Sequence, residues 1–119
     1  MTEIKAFENA IAGGCENLSE AGINSTVFWA YRTSKEVGNE AIDFHEVIWD
    51  KDIAEIVTTC RANGIKEFTI SCAFSSLIET LVEFEKHGCK MNGLTKVNAP
   101  YREWLTDNYA VIPAIKMVL

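Results

Sequence analysis

The chain has 119 residues, 48% of them apolar and 24% charged, the proportions of one globular domain and not of a disordered or fibrous chain. Its net charge of −6 is unevenly placed: residues 1–55 carry 11 acids against 4 bases, and residues 56–119 carry 6 against 7. That balance argues against direct nucleic-acid binding, which relies on clustered Lys and Arg displacing counterions from phosphates.

In chain order, Thr2–Ala12 places Ile4, Phe7 and Ile11 at helical spacing and is stopped by Gly13-Gly14. Glu3, Lys5 and Glu8 give this start neither the basic flank nor the apolar run of a secretory signal. Thr26–Val37 opens with strand-favouring Val27, Phe28, Trp29 and Tyr31 but continues through Arg32–Glu36 to Gly38, and is read as helix. Ala41–Phe44 follows as a short strand, and the loop His45–Asp50 leads onward.

The clearest signal is internal: Asp52–Lys66 overlays Ser76–Lys90 with a shift of 24 residues. Asp52 with Glu55, and Ser76 with Glu79, have the spacing of a capping box, in which the cap oxygen takes an orphan N–H and the carboxylate reaches back. Ile53, Ile56, Val57 and Cys60 form one apolar stripe, and Leu77, Leu81 and Phe84 the other. Gly64 and Gly88 then stand where a left-handed residue ends a helix.

After each glycine the period falls to two, at Phe68, Ile70 and Cys72 and again around Met91, with Asn92-Gly93 read as a bulge. A strand, a helix and a strand in succession favour parallel neighbours joined by a right-handed crossover. The tail Ala110–Leu119 is apolar, and Pro113 suits an edge strand, antiparallel to the rest. The expected fold is therefore α/β (α+β): a single domain over 1–119 with a mixed sheet of three to four strands. It is built on a duplicated helix–strand unit (52–73 and 76–97), with extra N-terminal helices and a C-terminal edge strand.

No run reaches the ~18 apolar residues a spanning helix requires, so a soluble, cytoplasmic chain without membrane contact is expected. Cys15, Cys60, Cys72 and Cys89 lack Cys-x-x-Cys spacing and are read as thiols. The triplets Asn17-Leu18-Ser19 and Asn24-Ser25-Thr26 resemble glycosylation acceptors by chance.

Chemistry is sparse. The turn from Ser71 through Cys72, Ser75 and Ser76 runs from a strand end into a helix N-terminus, where α/β folds bind ligands and anions; its bland reading is a helix cap beside a buried thiol. Cys72 is the one nucleophile candidate, and pairing it or Cys89 with His45 or His87 requires a proximity that spacing does not establish. His87 beside Gly88 has a sufficient role at a helix C-terminus. His87 with Cys89 falls short of a metal site, and no nucleotide-binding glycine motif is present, so neither metal nor cofactor is expected. Glu40, Asp43 and Glu46 belong to an acidic stretch suited to solvent or a basic partner. Trp29, Tyr31, Trp49, Tyr101 and Trp104 lie outside the repeated units; core packing is the commoner fate of such residues, and Tyr101, Arg102 and Trp104 are the group expected at the surface.

The runs Glu67-Phe68-Thr69-Ile70-Ser71, Phe74-Ser75-Ser76-Leu77-Ile78-Glu79-Thr80-Leu81 and Gly93-Leu94-Thr95-Lys96-Val97-Asn98-Ala99-Pro100-Tyr101 resemble an uncharacterised family of short proteins from anaerobic Gram-positive bacteria and their mobile elements. The similarity extends from about Phe28 to the C-terminus, with Asp43-Phe44 and Val47-Ile48-Trp49-Asp50 included. It transfers no catalytic residue, substrate or cofactor. It implies a bacterial accessory protein linked to mobile elements or counter-defence. Together these readings favour a non-catalytic protein-interaction module using Glu40, Asp43, Glu46, Tyr101, Arg102 and Trp104. The alternative is a small-molecule-binding protein or enzyme using the 71–76 turn, and self-association is a third reading.

Overall fold

The computed structural model describes residues 1–16 and 18–119; Asn17, which opens the first glycosylation-like triplet, lies outside the described residues. Its helices are α1 (Lys5–Ala12), α2 (Ser25–Glu36), α3 (Ile53–Ala62) and α4 (Leu77–Lys86); its strands are β1 (Ile42–Phe44), β2 (Glu67–Ile70), β3 (Lys90–Arg102) and β4 (Tyr109–Val118). After α3, the Gly64 N–H donates to Arg61 O at 3.2 Å and the Ile65 N–H to Cys60 O at 2.9 Å. After α4, Gly88 donates to Glu85 O and Cys89 to Phe84 O, both at 3.0 Å. This crossed pair needs a left-handed residue, and Gly64 and Gly88 supply it with φ of 70° and 86°.

The end of α2 repeats the pattern, with Asn39 N–H donating to Ser34 O at 2.9 Å and Gly38 N–H to Lys35 O at 3.3 Å. The duplicated unit thus belongs to a series of three, α2–β1, α3–β2 and α4–β3. The helix and strand of the first unit are each legible, but the unit falls outside the overlay at a 24-residue shift because β1 is only three residues long.

The strands form a mixed four-stranded sheet in the order β1-β2-β4-β3. β1 pairs parallel with β2, and β4 pairs antiparallel with both β2 and β3. The α+β class and the helical reading of α2 hold. Two expectations about the sheet need correction. β2 and β3 run parallel to each other but are separated by β4; the immediate parallel neighbours are β1 and β2, connected through a 3-10 turn at Asp50–Asp52 and α3. The C-terminal strand is interior, not an edge. Pro113 is accommodated because β2 meets β4 only from Ile115 to Val118, so at Pro113 the strand has β3 alone beside it.

The expected capping boxes are absent as well. Asp52 and Ser76 make no side-chain cap bond, since each follows a tight turn with φ, ψ of −96°, −11° and −99°, 20° instead of extended backbone. Asn24 is the side chain that caps, accepting from the Val27 N–H at 3.1 Å, while its amide donates to Glu55 Oε2 at 3.2 Å.

One sheet face carries Ile42, Phe44, Phe68, Ile70 and Met117, all buried with Phe7, Val27, Phe28, Tyr31, Ile53, Ile56 and Phe84 from the helices. Phe68 packs edge-on to Phe44 at 5.4 Å and against Phe84 at 5.2 Å. Alternation puts Asp43, Thr69, Lys116, Ala114 and Val97 on the opposite face. Bulges between Met91 and Leu94 and between Asn98 and Arg102 bend β3. The first is the bulge read at Asn92-Gly93, and Gly93 there has φ of 88°.

The bent hairpin reaches the far side of the sheet. Asn39, just before β1, donates from Nδ2 to Asn98 O at 3.0 Å and accepts the Asn98 N–H at 2.8 Å, while Asn98 Nδ2 donates to Val37 O at 2.8 Å. The outer edge of β1 is blunted separately, because Ser34 Oγ in α2 accepts the Asp43 N–H at 2.8 Å.

Candidate functional site

Just past the carboxyl ends of the parallel pair β1–β2, His45 and Ser71 join Asp43 of β1 and Thr69 of β2 in one hydrogen-bonded cluster. Asp43 is 5% exposed. Its Oδ1 accepts from Thr69 Oγ1 and its Oδ2 from Ser71 Oγ, each at 2.6 Å. Ser71 Oγ also lies 2.8 Å from His45 Nδ1. Burial pushes the Asp43 carboxyl above its usual range, opposed by the Ser71 and Thr69 hydroxyls and by the nearby His45.

With the Ser71 proton directed to Asp43, the same oxygen accepts from His45 Nδ1–H. The order carboxylate, hydroxyl, imidazole is not that of a hydrolytic triad, in which the imidazole sits between the other two and takes the proton from serine. Here the network fixes the imidazole, and Nε2 has no partner among the described residues.

Beside His45 an open groove of about 510 Å³ runs between the outer side of α2 and the loop after β1. Trp29, Ala30 and Thr33 line it from α2, Val47 and Trp49 from the loop, and Pro100 from β3. Buried Ile48 anchors that loop, while Trp29 and Trp49 remain 49% and 63% exposed. The expectation of core packing therefore fails for both tryptophans, and Tyr31 alone of the group is fully buried. In α2 the buried stripe is Val27, Phe28, Tyr31 and Ser34, which leaves Trp29 on the flank with Arg32 5.2 Å over its ring.

The structure divides the 71–76 turn. Ser71 joins the Asp43 network, whereas Ser75 and Ser76 are exposed. Cys72 is half-buried, and burial, followed by the Glu46 and Asp43 carboxylates, pushes its thiol up, away from an activated thiolate. Burial likewise raises the Cys60 thiol, to about 12. No cysteine hydrogen-bonds a histidine among the described residues; His87 lies 3.5 Å from Glu83 and accepts at its carbonyl from Arg61.

Of the acidic surface set, Glu40 and Glu46 are exposed, but Asp43 is withdrawn, its carboxylate occupied by two hydroxyls. Tyr101, Arg102 and Trp104 lie at and beyond the end of β3, with Arg102 4.3 Å over the Tyr109 ring. The 103–108 connection exposes Trp104 by 87% and Leu105 by 91%, and Leu105 holds φ of 70°. Sequence reasoning missed Leu105 and the His45–Ser71–Asp43 chain; the polar residues alternating with Phe44, Phe68 and Ile70 are the signal for the latter.

Among the described residues, no helix is long and apolar enough to cross a membrane. No curated protein and no solved structure matches the chain. One family model does match, over residues 26–119, which takes in all of the three helix–strand units but Ser25, and β4, while α1 precedes it. The chain belongs to the family defined by the domain of unknown function DUF7698.

Proposed function

We propose that this chain is a non-catalytic protein-interaction module, a bacterial cytoplasmic accessory factor linked to mobile elements or counter-defence, whose contact surface is the β3–β4 hairpin. The observation that carries the reading is the row of uncovered apolar side chains there. Met91 and Leu94 are 61% and 77% exposed, Val111 is 55% exposed, and the tip carries Trp104 and Leu105.

The helices cover Met117 on β4 and stop short of Val111 and Leu94 on the same face. α4 adds Ile78 and Val82, one turn apart and 75% and 50% exposed. Large apolar side chains left exposed in this number along one hairpin and the adjoining helix mark a protein-contact site more often than a solvated one. β3 also bears Lys90, Lys96 and Arg102 and no acid, so the preferred partner presents acidic side chains around an apolar centre.

The test is a tagged pull-down from a related bacterial lysate under reducing conditions, comparing the parent chain with Trp104→Ser/Leu105→Ser and with Leu94→Glu. The reading predicts a stoichiometric protein retained by the parent and lost from both hairpin variants. Retention of that protein by both, or its loss only in Glu40→Lys/Glu46→Lys, contradicts a hairpin interface.

A further inference from the structure

We propose that the groove beside His45 is a small-molecule site for a planar, cationic nitrogen heterocycle, with His45 Nε2 accepting a ring N–H and Glu46 pairing the charge. Trp29 and Trp49 supply the flat apolar walls. The proposal shares only Pro100 with the β3–β4 hairpin, and the tip residues Trp104 and Leu105 do not line the groove.

Three features define the occupant. The volume, about 510 Å³, falls in the range of small-ligand pockets. The lining pairs indole rings with Val47, Ala30 and Pro100, surroundings that favour stacking of a flat ring over binding of a flexible sugar or an extended chain. No Lys or Arg lines the groove, whereas the exposed Glu46 does, so an anion is disfavoured and a cation favoured.

His45 then fixes the polar contact. Its Nδ1 is held by Ser71, which is held in turn by the buried Asp43, so the imidazole is pre-oriented with Nε2 left as acceptor. The same arrangement accounts for placing a desolvated carboxylate in β1: Asp43, which also lines the groove, selects the imidazole tautomer through Ser71. One face of the Trp29 ring already holds the Arg32 guanidinium, so Trp49 carries the main stacking contact.

The probe is 2-aminobenzimidazole, flat, cationic when protonated and rich in N–H donors, titrated into the full chain labelled with 15N at histidine. The proposal predicts a saturable shift of the His45 ring nitrogens without one at His87. It also predicts binding weakened at least about tenfold by Trp49→Ala, and weakened by Glu46→Gln. Both altered side chains are exposed, so these variants fold. Trp104→Ala, which removes a tip residue of the proposed protein interface, leaves probe binding unchanged. Absence of a saturable His45 shift, unchanged affinity in Trp49→Ala, or equal binding of naphthalene-2-sulfonate overturns the proposal.

Discussion

Asn39 and Asn98, 59 residues apart, hold each other through two hydrogen bonds in which the Asn39 side-chain amide stands in for a neighbouring strand. Through this pair the loop before β1 grips β3, although the two strands lie at opposite ends of the sheet order. Asn39 is 8% exposed, so removing its amide leaves the Asn98 N–H and C=O without partners near the interior. Asn39→Ala is expected to cost about 1–3 kcal/mol in urea unfolding. Asn39→Asp is expected to be no milder, because a carboxylate oxygen then faces the Asn98 carbonyl. A near-neutral result for both would mean that the hairpin is not anchored here.

Gly64 and Gly88 end their helices alike, yet they differ in what a methyl group would meet. At Gly64 nothing lies within 4 Å, and alanine there meets only the backbone penalty of φ 70°, about 1 kcal/mol. At Gly88 the new Cβ falls 2.8 Å from Arg61 Nη2, the group that donates to His87 O at 2.8 Å. Gly88→Ala is therefore expected to destabilise by about 1 kcal/mol more than Gly64→Ala, as read from paired chemical denaturation curves. Equal losses would show that the Arg61 bond contributes nothing.

The thiols are expected to separate by reactivity. Cys60 and Cys89 are wholly buried and should resist iodoacetamide in the folded chain, while Cys15 and Cys72 are partly accessible. Because burial and two carboxylates raise the Cys72 thiol, it should alkylate no faster than a free cysteine at neutral pH. A rate well above that of the free amino acid, resolved by peptide mass spectrometry, would reopen nucleophilic catalysis at the 71–76 turn.

Cys60 also sets a pH dependence. Its thiol ionises near pH 9 when unfolded and near 12 when folded. Between those values the folded chain keeps a proton that the unfolded chain has lost, so this contribution to stability is complete below about pH 9 and falls as the pH rises. The slope is about 1.4 kcal/mol per pH unit for this one proton. Cys60→Ala should show a shallower loss of stability between pH 9 and 10.5 than the parent. Parallel curves would assign the alkaline slope to other groups.

Local rules made much of the fold legible. The switch from helical to alternating period at Gly64 and Gly88 located α3, β2, α4 and the start of β3, and Asn92-Gly93 located a bulge. What local rules could not convey was long-range pairing. That β4 inserts between β2 and β3 depends on a hairpin closing after an intervening crossover, and Pro113 argued for an edge because it is one only locally. The candidate site was half legible. Ser71 stood out by its place at a strand end, but its partners Asp43 and His45 come from a three-residue strand whose register against β2 only the folded chain reveals. Trp29 and Trp49 were misjudged because size favours burial, whereas here the core positions beside them were already filled by Phe28 and Ile48.

The most direct measurement of the hairpin interface is amide hydrogen exchange of the full chain with and without its captured protein partner. Added protection is expected to concentrate in residues 90–105, where no strand pairs with the outer side of β3 and the Asn39 side chain bonds it at Asn98, with α1 and α2 unchanged. Protection confined to the helices, or none in β3, would contradict it.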